Sequence, residues 1–236
     1  MRFAGLAFCF AGCVFGQPAI PGYEVHRASS PITVDGKGDD KAWAAAGKIE
    51  LIFPWDSQTG AKQKTTVRLL WDDANLYALY ECEDADIVAF RTERDDPTYL
   101  DDAVELFINP MPSQTEVYYG MEMNARAVLY DYVMLPSKGL FKQFNMQGVQ
   151  LATFIDGTLN VRGNTDKGWS LEVAIPWSNF DGLSPKPPSV GSVWAANLNR
   201  WDGVEPNRRM SNWSNPMKPT PNPHAPERFG KLIFVK

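Results

Sequence analysis

Short runs with a period of two dominate this chain, and nothing longer than one or two turns follows a helical period. Thr65–Trp71, Leu76–Glu83, Val117–Ala125, Val128–Met134, Gly168–Pro176 and Val193–Arg200 all read this way, with Ile32–Val34, Ile49–Phe53 and Phe229–Val235 as shorter candidates. Strict alternation puts successive side chains on opposite faces of a strand, so each run needs a neighbour to cover one face. Turn signals separate the runs. Asp72-Asp73-Ala74-Asn75 joins the clearest hairpin, and Asp156-Gly157 is read as a hairpin turn between Val149–Ile155 and Thr158–Arg162. Helical signals are confined to Asp39–Gly47 and the turn from Pro176 to Phe180. With no alternation of strands and helices, the expected fold is all-β, an antiparallel sandwich of about ten strands with short helical turns.

One run is chemically unusual. Tyr99–Asn109 (YLDDAVELFIN) opens with an aromatic and two acids, then alternates Val104, Leu106 and Ile108 with Glu105, Phe107 and Asn109. The first set reads as a core face. The second puts a carboxylate in mid-strand, which is either a structural edge or the floor of a polar-ligand site.

The N-terminus reads as a targeting segment. Arg2 is followed by apolar and small residues over Phe3–Phe15, too short for a membrane span and right for a signal peptide. Cleavage after Gly16 would make residues 1–16 a signal peptide, 17–30 a Pro- and Gly-bearing leader and 31–236 one domain, exported to the periplasm or beyond. Phe10-Ala11-Gly12-Cys13 approximates a lipobox, so lipoprotein anchoring at Cys13 is the rival route, and Phe where Leu is usual favours simple export. Only Cys82 remains outside the signal, which excludes an intrachain disulfide and a cysteine-based zinc site. The net charge of -5, without a cluster of Lys or Arg, argues against a nucleic-acid partner.

Acids crowd between Asp84 and Glu105, and oxygen-only ligands on loops suit calcium, although the spacing is not that of an EF-hand. A glycosidase needs two carboxylates across a bond. Asp102 and Glu105 would point to opposite faces, so Glu105 would need a partner from another strand, such as Glu122. Haem b is a further reading, with Met121, Met123, Met134, Met146 and His224 as axial candidates. Aromatic residues offer a fourth. A sugar ring stacks its C–H face on a flat side chain while Glu, Asn or Arg bonds its hydroxyls. Tyr99, Trp201 and Trp213 lie in or beside loops, whereas Trp71, Trp169 and Trp194 sit in strand patterns and read as core.

Eight pieces in order across residues 34–234 carry a resemblance: VDGKGDDKAW (34–43), VRLLWDDANLYALYECED (67–84), DDAVELFINP (101–110), YYGMEMNA (118–125), GWSLEVAIPW (168–177), WAANLNRW (194–201), NWSNP (212–216) and PERFGKLIF (226–234). Together they resemble family 9 carbohydrate-binding modules, within the wider group of DOMON-like β-sandwiches. The resemblance implies a secreted, non-catalytic sandwich that binds oligo- or polysaccharide, carries structural calcium and serves separate glycoside hydrolases. It makes Tyr99 a clamp aromatic and gives hydroxyl-reading roles to Glu105, Asn124 and Asn197, with Arg200 beside them. Glu122 stands where the sugar-binding type has an Arg. Pro223 and His224 occupy the region of the second clamp Trp, and Trp213 matches a Trp earlier in that loop. The wider group includes haem-binding members, which keeps haem as the alternative.

Overall fold

Alternating residues sort the strands into two facing layers joined along one curled ladder. The computed structural model describes residues 17–136, 138–180, 186–203 and 206–236; the expected signal segment, with Cys9 and Cys13, lies outside them. Among the described residues the strands are β1 (Gly22–Arg27), β2 (Ile49–Glu50), β3 (Thr65–Trp71), β4 (Asn75–Glu83), β5 (Ala103–Asn109), β6 (Tyr118–Asn124), β7 (Leu129–Leu135), β8 (Gly139–Phe141), β9 (Gln150–Asp156), β10 (Gly168–Pro176), β11 (Val193–Asp202), β12 (Arg209–Asn212) and β13 (Gly230–Phe234). The helical segments are single 3-10 turns, including Lys41–Ala45, Thr98–Leu100 and Trp177–Asn179. The fold is therefore all-β, as the alternation requires.

The ladder runs β8-β7-β6-β5-β11-β13-β1-β3-β4-β10-β9, with β12 on β11 and β2 on β3. Leu106, Met121 and Leu198 from the first layer meet Leu69, Tyr80, Leu171 and Val173 from the second in one buried core. Tyr80 spans it, its hydroxyl donating to the Glu105 carbonyl at 2.8 Å. Trp71, Trp169 and Trp194 belong to this core as expected, and so does Cys82, whose thiol burial pushes up to about 12. The second layer is backed by the Lys41–Ala45 turn, where Trp43 packs on Leu70 and Leu79 and donates its indole N–H to Glu172 at 2.8 Å.

Several segments differ from the sequence reading. Gly22–Arg27, expected to be leader, is β1, which pairs in parallel with β13 (Tyr23 opposite Leu232) and with β3 (His26 opposite Leu70). It closes the gap between the layers, and its inward Tyr23 and Val25 join the core. Ile32–Val34 forms no strand and packs instead on the cluster around Trp43. Thr158–Arg162 forms none either. β9 pairs with β10 (Asp156 opposite Gly168), and Asn160, with φ at 62°, bonds the Ala89 backbone instead. Two expected loops contain the short strands β8 and β12.

Candidate functional site

The first layer has an outward face that is not bare. Glu105 and Phe107 of β5 point there because Val104, Leu106 and Ile108 take the core side. A second apolar cluster covers part of it, built from Phe107, Tyr118, Tyr130, Tyr132 and Phe229, with Tyr99 packed against it. Strand register sets a polar row across this face. Asn212 of β12 stands opposite Asn199 of β11, Asn199 opposite Glu105, Glu105 opposite Glu122 of β6, and Glu122 opposite Tyr130 of β7. Asn212 donates to Asn199 at 2.6 Å, and Asn199 donates to Glu105 Oε2 at 3.2 Å. Tyr132, one step along β7, donates its hydroxyl to Glu122 Oε1 at 3.0 Å. Gly120 permits this, because a Cβ there would collide with the Tyr132 ring.

Over that row lies a pocket of about 240 Å³. Glu105 and Glu122 reach it from the strands, Tyr99 from the Thr98–Leu100 turn, and Trp201 from the end of β11. Leu140 and Lys142 come from β8 and its exit, and Pro221–His224 from the loop before β13. Tyr99 and Tyr130 contact each other with centroids 6.0 Å apart. Cations sit against two rings: the Arg208 guanidinium is 3.8 Å from the Trp201 centroid, and the Lys142 ammonium 5.3 Å from that of Tyr130.

Electrostatics follow from burial. Glu105 and Glu122 are 1% and 4% exposed. Desolvation pushes the Glu105 carboxyl up to about 7, against the pull of Arg208 and hydrogen bonding from Asn199 and Trp201. Glu122 is raised well above the carboxylate range by burial and then by the charge of Glu105. His224 stacks on Phe107 at 5.1 Å, its Nδ1 sharing a 2.7 Å hydrogen bond with the Tyr118 hydroxyl. Burial lowers its pKa to about 4, so its ring is neutral at ordinary pH.

Of the residues singled out from sequence, Tyr99, Glu105, Glu122, His224 and the loop aromatic Trp201 meet at this pocket. The other four are placed elsewhere. Arg200 lies on the core side of β11 with no exposed surface, bonded to Thr65, the Glu83 carbonyl, Asp84 and Asp202. Asn124 spends its amide on Asp101 and the Arg91 carbonyl and accepts from Arg126 and Val128, which uses all its hydrogen-bonding capacity. Asn197 pins Ser214 through its backbone N–H and carbonyl. Trp213 is core, its ring packed against Gly230 where no Cβ would fit. Asn199, Tyr130, Tyr132, Lys142 and Arg208 were not singled out. Asn199 shares its parity with Trp201, which was the available signal; Arg208 comes from a loop with none.

The crowded acids resolve into a buried cluster. Asp84, Asp102 and Asp202 offer oxygens within 4.8 Å of one another, the one such group among the described residues. Oxygen-only donors suit calcium, yet Arg200 bonds Asp84 and Asp202 at 2.9 Å, and Arg209 bonds Asp202. The remaining oxygens accept backbone N–H groups of Asp86, Val88 and Gly203. With every oxygen engaged and two of three charges neutralised, the set fits an internal ion-pair network and not a divalent ion. Of the haem candidates, Met121, Met123 and Met146 are in the inner core, across the sheet from His224, whereas Met134 packs on the outer aromatic cluster against which His224 stacks.

The sequence profile of the family described as Carbohydrate family 9 binding domain-like matches residues 34–236. Over 210 residues, 86% of this chain, the sequence is 31% identical to endo-1,4-beta-xylanase C of Paenibacillus barcinonensis, of which it spans 16%. It is 27% identical to endo-1,4-beta-xylanase A of Thermotoga neapolitana over 86% of this chain and 17% of that protein. The chain thus spans about a sixth of the length of these relatives. Among solved structures, a Bacteroides uniformis protein superposes with a TM-score of 0.75 at 17% identity, over 92% of this chain and 100% of that one. A family 9 carbohydrate-binding module of Caldicellulosiruptor kristjanssonii, solved with cellotriose, superposes with a TM-score of 0.59 at 19% identity, over 91% and 93%. At these identities the superpositions establish a shared fold.

Proposed function

Because the chain belongs to the Carbohydrate family 9 binding domain-like family, we propose that it is a non-catalytic carbohydrate-binding module whose ligand occupies the outer-face pocket. The observation that carries this reading is the pairing of aromatic walls with a polar floor. Tyr99, Tyr130 and Trp201 supply flat faces for the C–H face of a sugar ring, and Glu105 and Glu122 lie below them to bond hydroxyls. The pocket's volume falls just below the ~300 Å³ at which ordinary small-molecule sites begin, which suits one terminal sugar ring of an oligosaccharide better than a macrocycle. The C. kristjanssonii modules, solved with cellotriose and with glucose, support a gluco-oligosaccharide as the ligand class to test.

The same reading makes the protein an exported accessory to glycoside hydrolases, in line with the xylanase relatives. No helix among the described residues is long and apolar enough to cross a membrane. A glycan-panel assay on residues 17–236, with and without calcium, tests the proposal. Saturable binding of one class of β-linked oligosaccharide, without turnover and weakened at least ~10-fold in Tyr99→Ala, is the expected result. Silence across cello-, xylo- and manno-oligosaccharides would overturn it.

A further inference from the structure

The floor of the pocket holds two carboxyls side by side. Glu105 and Glu122 are register partners on β5 and β6, so their side chains leave the same face at neighbouring positions. Directly opposed residues in an antiparallel pair have Cβ atoms ~4.5–5.5 Å apart, and two full negative charges at that spacing in a dry setting oppose each other strongly. Their partners are unequal. Glu105 Oε2 accepts from Asn199, and Glu122 Oε1 accepts from Tyr132. Glu122 Oε2 is sealed from bulk water without a hydrogen-bond partner. A buried carboxylate oxygen left in that state is costly, whereas a carboxylic acid at the same position gains a donor that a neighbour or a ligand can accept.

The surrounding groups do not supply two full counter-charges. Arg208 acts on both carboxyls and Lys142 on Glu122, but the ammonium of Lys142 is on the exposed side of the pocket. His224 is neutral, and burial raises the phenols of Tyr118, Tyr130 and Tyr132, so none of them bears charge at ordinary pH. Glu227, which faces Tyr118 from the turn before β13, is a further negative group.

We propose that Glu105 and Glu122 hold one proton between them, and that Glu122, turning its sealed Oε2 toward the pocket it lines, meets the ligand as a carboxylic acid whose Oε2–H donates to a sugar oxygen. In the free protein that proton is shared with the Glu105 carboxylate. The proposal rests on the reading of this pocket as a carbohydrate site, and makes Glu122 its specificity-determining residue: it selects a ligand oxygen able to accept. Burial, which raises both carboxyls, supports the same assignment. The consequence is proton-linked binding. Loss of the proton removes the donor and adds a second negative charge, so affinity falls by up to ~10-fold per pH unit above the pair's upper titration and is level below it.

Two measurements test it. The first uses no ligand: a carboxyl ¹³C NMR titration of glutamate-labelled protein. We expect one pair of coupled resonances that titrates above neutrality and disappears in Glu122→Gln. Ordinary titration of both residues near ~4.3 would overturn the shared proton, whatever the protein binds. The second is calorimetric titration with cellotriose from pH 5 to 9. Wild-type affinity should fall with rising pH, while Glu122→Gln, an amide donor at every pH, should show a level profile, and Glu122→Leu should bind at least ~10-fold more weakly than Glu122→Gln. A level wild-type profile, or an unaltered pH profile in Glu122→Gln, would overturn the proposal. Binding that is strong but pH-independent would leave the carbohydrate reading standing alone.

Discussion

Trp201 forms a wall of the pocket and carries the Arg208 guanidinium on its ring. Replacing it with Ala should weaken sugar binding ~10-fold or more through loss of the stacking face, with little effect on unfolding because the ring is half-buried. Calorimetry and a denaturant curve on the same variant check both halves. Arg200 predicts the converse. Arg200→Ala strands Asp84 without its buried partner and leaves Asp202 with Arg209 alone, which should cost ~3–5 kcal/mol of stability, while the molecules that remain folded bind sugar as before. Glu105 gives a pH signature of its own. Its carboxyl is raised from 4.5 to about 7, so the folded state holds the proton more tightly than the unfolded chain. Its contribution is full below pH 4.5 and is lost as pH rises to 7. Over that window the wild type should lose stability relative to Glu105→Gln, as read by urea midpoints. These contrasts mark what sequence revealed of the site. Asn197 and Arg200 are three apart on β11, and a strand sends such residues to opposite faces; period two alone therefore excluded them as partners and favoured Asn199 with Trp201. Glu122, named from sequence as a partner for Glu105 on another strand, reaches it through strand pairing, whereas Arg208 comes from a loop and was not legible from spacing.

At the level of elements, β6 works because of Gly120. Gly120→Ala would drive a methyl into Tyr132, and we expect ~1–3 kcal/mol of destabilisation, seen as a lower Tm, together with weaker binding as the Tyr132–Glu122 hydrogen bond is displaced. β1 carries a different load. It pairs with β13 on one side and β3 on the other, so a chain beginning at Ala28 would leave two ladder edges open and should lose cooperative thermal unfolding. The alternation of Tyr23 and Val25 with Glu24 and His26 was present in the sequence, but Pro18, Pro21 and Gly22 made the segment look like a leader. β8 and β12 were hidden for another reason: three or four residues are too few for a period to show. The long hairpin runs, by contrast, had period, length and turn residues in agreement, and their pairing follows directly.

Across the whole molecule, the core and the proposed sugar site occupy opposite sides of one sheet. The inner face of the first layer meets the second layer through an apolar core and the Asp84–Arg200–Asp202 network. Its outer face carries the aromatic cluster and the polar row. The second layer has a groove of its own, about 510 Å³, lined by Lys64, Phe154 and Trp169 among others. Three of its lysines are paired with nearby acids, Lys37 with Asp35, Lys64 with Glu50 and Lys167 with Asp156, and nothing there combines several aromatic faces with a buried polar floor. The proposed function puts sugar binding on the first layer. The direct test is a ¹H–¹⁵N NMR titration of labelled protein with cello- and xylo-oligosaccharides. Saturable shifts of the Trp201 indole N–H and of the amides around Tyr99, Tyr130 and His224 are expected. Shifts confined to the Lys64–Phe154 groove, or no shifts at any concentration, would contradict it.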